Sequence, residues 1–284
     1  MKIALILLNF LIVSACTPSK VAETTSGNIN VNAPFLWSSN AFPRNMRIST
    51  EFTNDEVANI LAMSTAWETA VQNREDFFEH DINNDTITDR TTEISSPNLR
   101  LDDLGDDNVN GIYKITDWPS ALPGSALAVT QIFGRRYNIG SSNEYVRIEH
   151  ADILLNEDIY DFRTTDAHVN NTFDLRTVML HELGHFLGLA HQSGDTVMIP
   201  SIGENSTGRT PTSTDAANLS DKYVLNMVFG LSSNVMALSR PQYAPMTGDS
   251  GKMIKIQIEL MAEGECVHRE NGAMIGRHSV KLKN

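Results

Sequence analysis

His181-Glu182-Leu183-Gly184-His185-Phe186-Leu187-Gly188-Leu189-Ala190-His191 is the stretch that decides how the rest of the chain is read. On a helix, His181 and His185 project from one face, one turn apart. That separation lets two imidazoles hold one Zn²⁺ at about 2.0–2.1 Å while coordination positions stay open. Glu182 follows the first ligand and can reach a water on the metal as general base. Gly188 comes where the chain must leave the helix, through a left-handed cap that glycine adopts cheaply. The turn brings His191 back as third ligand. Three histidines with one open position make a catalytic set, because a structural zinc is closed by four protein ligands. The bland alternative is a helix carrying incidental histidines, which would leave Glu182 and Gly188 without a reason.

The spacing H-E-x-x-H-x-x-G-x-x-H resembles that of the metzincin metallopeptidases, which require a methionine turn downstream. Asp195-Thr196-Val197-Met198-Ile199-Pro200 supplies one, with Met198 as its methionine. Two positions after Met198 stands Pro200, not the Tyr of the astacin-like and serralysin-like branches, so the chain resembles the matrixin-like branch. That resemblance runs from about Pro34 to Gly230. It implies an α+β catalytic domain: a twisted mixed sheet with an antiparallel edge strand, two long helices including the zinc helix, the Met-turn and a C-terminal helix. It also implies one catalytic Zn²⁺ on His181, His185 and His191. Asp215, Leu219 and Tyr223 follow the spacing of that C-terminal helix, whose acidic residue supports the Met-turn.

Around the motif the elements read as follows. Met46–Phe52 alternates like a strand, and Thr53 or Asn54 caps a helix to about Gln72 with Val57, Ile60, Leu61, Ser64 and Trp67 on one face. Ile112–Thr116, Ala126–Phe133 and Tyr145–Leu155 are strand candidates. Ala126-Leu127-Ala128-Val129-Thr130 resembles the edge strand on which metzincins bind an extended substrate, which puts Leu127 and Ala128 against it. By the same analogy Pro200, Ser201 and Ile202 wall the pocket for the residue after the scissile bond. The competing reading of these segments is an ordinary half-buried strand and loop. Asp174 caps the zinc helix, and Thr212 to about Phe229 is a further helix. Ile254, Ile256, Ile258 and Leu260 alternate with polar residues, and Asn271-Gly272 signals a hairpin. Residues 231–284 therefore form a small β-rich appendage to the catalytic domain of residues 34–230. His268 and His278 show no ligand spacing, and Cys266 reads as a small packing residue.

Asp81, Asn83 and Asp85 match the first oxygen positions of a calcium loop, with Asp89 at the ninth. Thr86 stands where glycine belongs and Thr92 where the bidentate Glu belongs, so Ca²⁺ competes with a plain solvated acidic loop.

Composition fixes the setting. With 41% hydrophobic and 20% charged residues the chain is globular. A net charge of −13 disfavours nucleic acid, which needs basic patches. Lys2 followed by the apolar run Ile3–Val13 has the form of an export signal, too short to span a bilayer as a helix. Val13-Ser14-Ala15-Cys16 resembles the lipobox of bacterial lipoproteins, which implies residues 1–15 as signal, lipidation of Cys16 and residues 16–33 as a polar tether. Thr17 in place of Asp points, by analogy, to the outer membrane; an ordinary cleaved signal is the alternative. A lipidated Cys16 leaves Cys266 without an intrachain partner. Many matrixins carry a prodomain whose cysteine blocks the zinc; no cysteine lies between Cys16 and the motif, so any latency is expected to work differently.

The reading that results is a zinc endopeptidase tethered outside the cytoplasm, acting on a peptide or protein. The alternatives are a narrow processing enzyme or exopeptidase, and a non-catalytic surface protein that uses the fold for adhesion.

Overall fold

The computed structural model describes residues 30, 32–38, 42–71, 77–78, 90–91, 109–224, 238–239, 245–262 and 265–279. The calcium-loop candidates Asp81, Asn83, Asp85 and Asp89, together with Cys16, lie outside them. In chain order the elements are β1 (Phe35–Trp37), β2 (Arg47–Ser49), α1 (Asn54–Ala70), β3 (Arg90–Thr91), β4 (Gly111–Ile115), β5 (Ala126–Tyr137), β6 (Tyr145–Asn156), β7 (Asp161–Arg163) and β8 (Thr172–Asp174). There follow α2 (Leu175–Phe186), α3 (Ser213–Lys222), β9 (Tyr223–Val224), β10 (Leu238–Ser239), β11 (Lys252–Met261), β12 (Glu265–Glu270) and β13 (Ala273–Ser279).

The main sheet is mixed, in the order β13-β12-β11-β5-β6-β4-β2-β3 with β1 also paired to β6. β6 runs parallel to β1 and β4, and β2 runs parallel to β4 and β3, while β5 pairs antiparallel with both β6 and β11, and β12 pairs antiparallel with β11 and β13. This is the α+β architecture expected, with two corrections. β5 is antiparallel but not an edge, because β11 pairs along it from Lys252↔Arg136 to Met261↔Ala126. Residues 231–284 are not simply an appendage either, since β11 is a strand of the main sheet. The alternation of Ile254, Ile256, Ile258 and Leu260 is that of a strand with one buried face, and all four are buried in the main core.

Helix α1 starts where the sequence places it. Thr53 accepts a hydrogen bond from the Glu56 amide at 3.3 Å, and the Glu56 carboxylate accepts from the Thr53 amide at 2.7 Å, a capping box. Val57, Ile60, Ser64 and Trp67 are buried, and the Trp67 indole donates to the Leu180 carbonyl at 2.8 Å. Trp67 thereby fixes α1 against α2. Helix α3 stops at Lys222, seven residues short of the Phe229 expected, because Tyr223 turns to extended backbone and starts β9. The Asn271-Gly272 hairpin is present: both residues have positive φ, the combination a two-residue primed turn requires.

The helices meet at Gly184. A Cβ there would lie 2.4 Å from Met198 Sδ and 2.9 Å from Trp67 Cζ2. One hydrogen atom thus lets α1, α2 and the Met198 turn close on one another. Gly184→Ala is expected to cost about 1–3 kcal/mol through overpacking, read as a lower denaturation midpoint with an unchanged slope. A variant as stable as wild type would show that this junction is not tightly packed.

Candidate metal centre and active site

Asp174 caps α2, accepting from the Thr177 amide at 2.9 Å. Burial opposes its charge, but the Arg209 guanidinium and Thr177 hold its carboxyl below the usual range. At the other end the chain leaves through two backbone bonds, Gly188 N–H to His185 O at 2.8 Å and Leu189 N–H to Gly184 O at 2.9 Å. That pair is a Schellman cap. Gly188 has φ +88°, and a Cβ on it would stand 2.5 Å from the Phe35 carbonyl oxygen. Only glycine fits both demands.

The cap delivers His191 to the first two histidines. His191 Nε2 lies 3.1 Å from His181 Nε2 and 3.0 Å from His185 Nε2. Ligand nitrogens around a tetrahedral Zn²⁺ stand about 3.3–3.4 Å apart, given Zn–N distances of about 2.0–2.1 Å. Protonation settles what these atoms can do. His181 Nδ1 faces the Val197 carbonyl at 2.8 Å and His185 Nδ1 faces the Leu189 carbonyl at 2.8 Å. A carbonyl only accepts, so both Nδ1 atoms carry the proton. Burial lowers the pKa of His181 to about 4 and that of His185 well below its ordinary value, so the rings are neutral. Their Nε2 atoms are therefore bare lone pairs pointed into one small space. That donor set fits a metal cation, and the three residues stand close enough together to share one.

Glu182 is fully buried. Its Oε2 accepts from the Thr130 hydroxyl on β5, and its Oε1 is buried with no hydrogen-bond partner among the described residues. Burial pushes its pKa up to about 8, with Thr130 acting in the other direction. A bound cation adds to Thr130's effect.

Met198 is fully buried beneath the cluster. Its turn hangs from Asp215, which is itself fully buried. Asp215 accepts from the Val197 amide at 3.0 Å, the Thr212 amide at 2.8 Å and the Thr196 hydroxyl. Val197 in turn presents its carbonyl to His181. A continuous chain of hydrogen bonds thus runs from the start of α3 to a metal ligand. The Tyr223 hydroxyl donates to Leu187 O at 2.9 Å and ties the same region to the end of α2.

Of the proposed substrate contacts, Leu127, Ala128 and Ile202 are buried and Pro200 is half-buried. The chain itself fills the position expected for substrate: Ala128 pairs with Leu260, and Pro200 O and the Ile202 amide both bond to Met261 at 3.1 Å. Three residues escaped the sequence reading. The Thr130 hydroxyl donates to the Glu182 carboxylate. His268 Nε2 lies 2.9 Å from His191 Nδ1, and Cys266 Sγ lies 3.4 Å from the same atom. The available signal was Cys266-x-His268, an alternation that puts both on one face of β12; nothing local says which ring that face meets.

A family model described as matrixin (peptidase M10) matches residues 67–224, more than half of the chain, from Trp67 on α1 to Val224 after α3. No curated protein matches the chain.

Asp215→Ala is expected to weaken zinc binding by about 10–100-fold, the range for loss of a residue that orients a ligand. Competition with a chromophoric chelator measures it. Affinity equal to wild type would mean that the Val197 carbonyl stays in place without the carboxylate.

Proposed function

The chain belongs to the matrixin family of zinc-dependent peptidases, and from that premise we propose that it is an endopeptidase whose metal sits on His181, His185 and His191 and whose general base is Glu182. The observation that carries the reading is the convergence of three Nε2 atoms, two of them bare because the Nδ1 of His181 and that of His185 each face a backbone carbonyl. His181, His185 and His191 would hold the zinc, which would supply a Lewis acid for the scissile carbonyl and make an attacking water more acidic. Glu182 accepts the proton of the attacking water and returns it to the leaving amine. Thr130 engages Oε2, which leaves Oε1 as the oxygen free to move that proton. Met198 serves as packing beneath the metal, not as a ligand.

An extended peptide is the expected substrate, held by backbone hydrogen bonds that β5 and the Pro200–Ile202 segment offer irrespective of side chains. The export signal and Cys16 place this activity, in the proposal, on a lipid tether outside the cytoplasm, at the outer membrane. The Asp81–Asp89 loop remains a candidate for Ca²⁺ on its sequence alone. An adhesion or binding role would need the ligands' fold but no general base, so an intact Glu182 favours the enzyme.

The exported chain is expected to carry one zinc per molecule and to release peptides from unfolded casein. Glu182→Gln should keep the zinc and lower the rate by about 10²–10⁴-fold. A zinc-loaded wild type that cuts no unfolded protein, at any enzyme concentration, would sink the peptidase assignment.

A further inference from the structure

The metal centre is covered. His181, His185 and Glu182 are each at most 1% exposed. A cavity of about 630 Å³ reaches His191 from the side of Gly188, Lys222 and His268, but His181, His185 and Glu182 take no part in its walls. The C-terminal hairpin packs against this centre at His191. β11 occupies the outward edge of β5 over all ten of its residues. At its last residue the backbone is bonded on both sides: the Met261 amide donates to Pro200 O, the Ile202 amide donates to Met261 O, and the Ala262 amide donates to Ser125 O. Met261 therefore lies between β5 and the Pro200–Ile202 segment, antiparallel to the first and parallel to the second. Backbone bonds of this kind are those by which an extended peptide adds to a sheet, and they are indifferent to its sequence. β12 then brings Cys266 and His268 against His191 Nδ1.

We infer that the β11–β12 hairpin is a built-in occupant of the peptide-binding track and holds the metal centre closed, so that a substrate gains access only when the Met261 end of β11 lifts away. This rests on the peptidase reading above. The far end of the hairpin is anchored against such movement: Arg136 on β5 is almost wholly buried and ion-paired to Glu270 of β12 and to Glu144. The Met261 end has no equivalent ionic tie to β5 among the described residues. Opening is thus a local event at the cleft, which withdraws the buried Leu260 and Met261 side chains and leaves Ile254, Ile256 and Ile258 in the core.

A disulfide tests this in the full chain. Ser125 and Ala262 are both half-buried and opposed across the β5–β11 ladder through the Ala262 N–H to Ser125 O bond. Opposed hydrogen-bonded residues have Cα atoms about 5.5 Å apart, within the roughly 4.4–6.8 Å a disulfide spans. In the zinc-loaded Ser125→Cys/Ala262→Cys protein two rates are compared with the bond formed and after reduction by a phosphine. One is peptide release from casein; the other is association of a tripeptide hydroxamate, which needs the metal and an open track but no catalysis. Both are expected to fall by about tenfold or more when the bond is formed, since the accessible fraction scales the apparent rate. A smaller fall in hydroxamate association overturns the inference. Because hydroxamate binding does not depend on turnover, loss of the peptidase assignment would leave this arm intact. Should the cysteines not oxidise, Ala262→Pro removes the amide that ties the strand end to Ser125. It is expected to speed hydroxamate association several-fold, about the scale of losing one backbone hydrogen bond. An unchanged rate overturns the inference.

Discussion

Two backbone carbonyls, Val197 O and Leu189 O, orient the histidine cluster. Each takes the Nδ1 proton of a histidine on α2 and so leaves the opposite nitrogen bare. Neither carbonyl belongs to the helix that carries the ligands. Leu189 O is placed by the Schellman cap, which exists because Gly188 adopts φ +88° against the Phe35 carbonyl. Val197 O is placed by the Met198 turn, which exists because the buried Asp215 carboxylate gathers the Val197 amide, Thr196 and Thr212. The motif is therefore a helix whose side chains are set by the two loops around it. Gly184 permits the approach that brings the second loop within reach.

The same burial that orients the ligands makes the metal-free centre costly in both directions of pH. Glu182 rises from an ordinary 4.5 to about 8. A carboxylate with a raised folded pKa leaves the unfolded chain with fewer protons than the folded one, so it drains stability as pH rises from about 4.5 to about 8. His181 falls from 6.5 to about 4, so the unfolded chain binds the extra proton and stability drains as pH drops through that interval. Between these limits the buried Glu182 carboxyl keeps its proton beside the neutral rings of His181 and His185. A divalent ion there relieves the histidines of competition for protons and lowers the cost of an ionised Glu182. Metal binding and a settled charge state are thus one event in this fold.

How much of this the sequence discloses follows from the range of each interaction. The clustering of His181, His185 and His191, the Gly188 turn, the cap of α1 at Thr53 and the Asn271-Gly272 hairpin are local patterns, and each stands where the spacing puts it. Asp215 is legible because its helix keeps a spacing to Leu219 and Tyr223. The end of α3 was overestimated because helical periodicity runs on past Lys222 while Tyr223 is pulled into extended backbone, its hydroxyl held by Leu187 O and donated to by the Trp37 amide. Pairing across the sheet is the part that stays hidden. The alternation in β11 identifies a strand with one buried face, but every antiparallel edge offers it the same backbone bonds. Its choice of β5, and with it the arrival of His268 at His191, are contacts between residues 77 apart in the chain.

That choice has a physical logic of its own. β5 is a twelve-residue strand, nearly all buried, and a bare edge of that length invites pairing with another chain. β11 satisfies it, and the demand differs along its length. Toward Lys252 the hairpin is held by Ile254, Ile256 and Ile258 in the core and by the buried Arg136–Glu270 pair, which no passing peptide can replace. Toward Met261 it is held by the buried Leu260 and Met261 side chains together with main-chain bonds to Ser125, Pro200 and Ile202, and the main-chain bonds are of the kind an extended peptide can make. One strand in this way seals a vulnerable edge along its length, with a different set of contacts at each end.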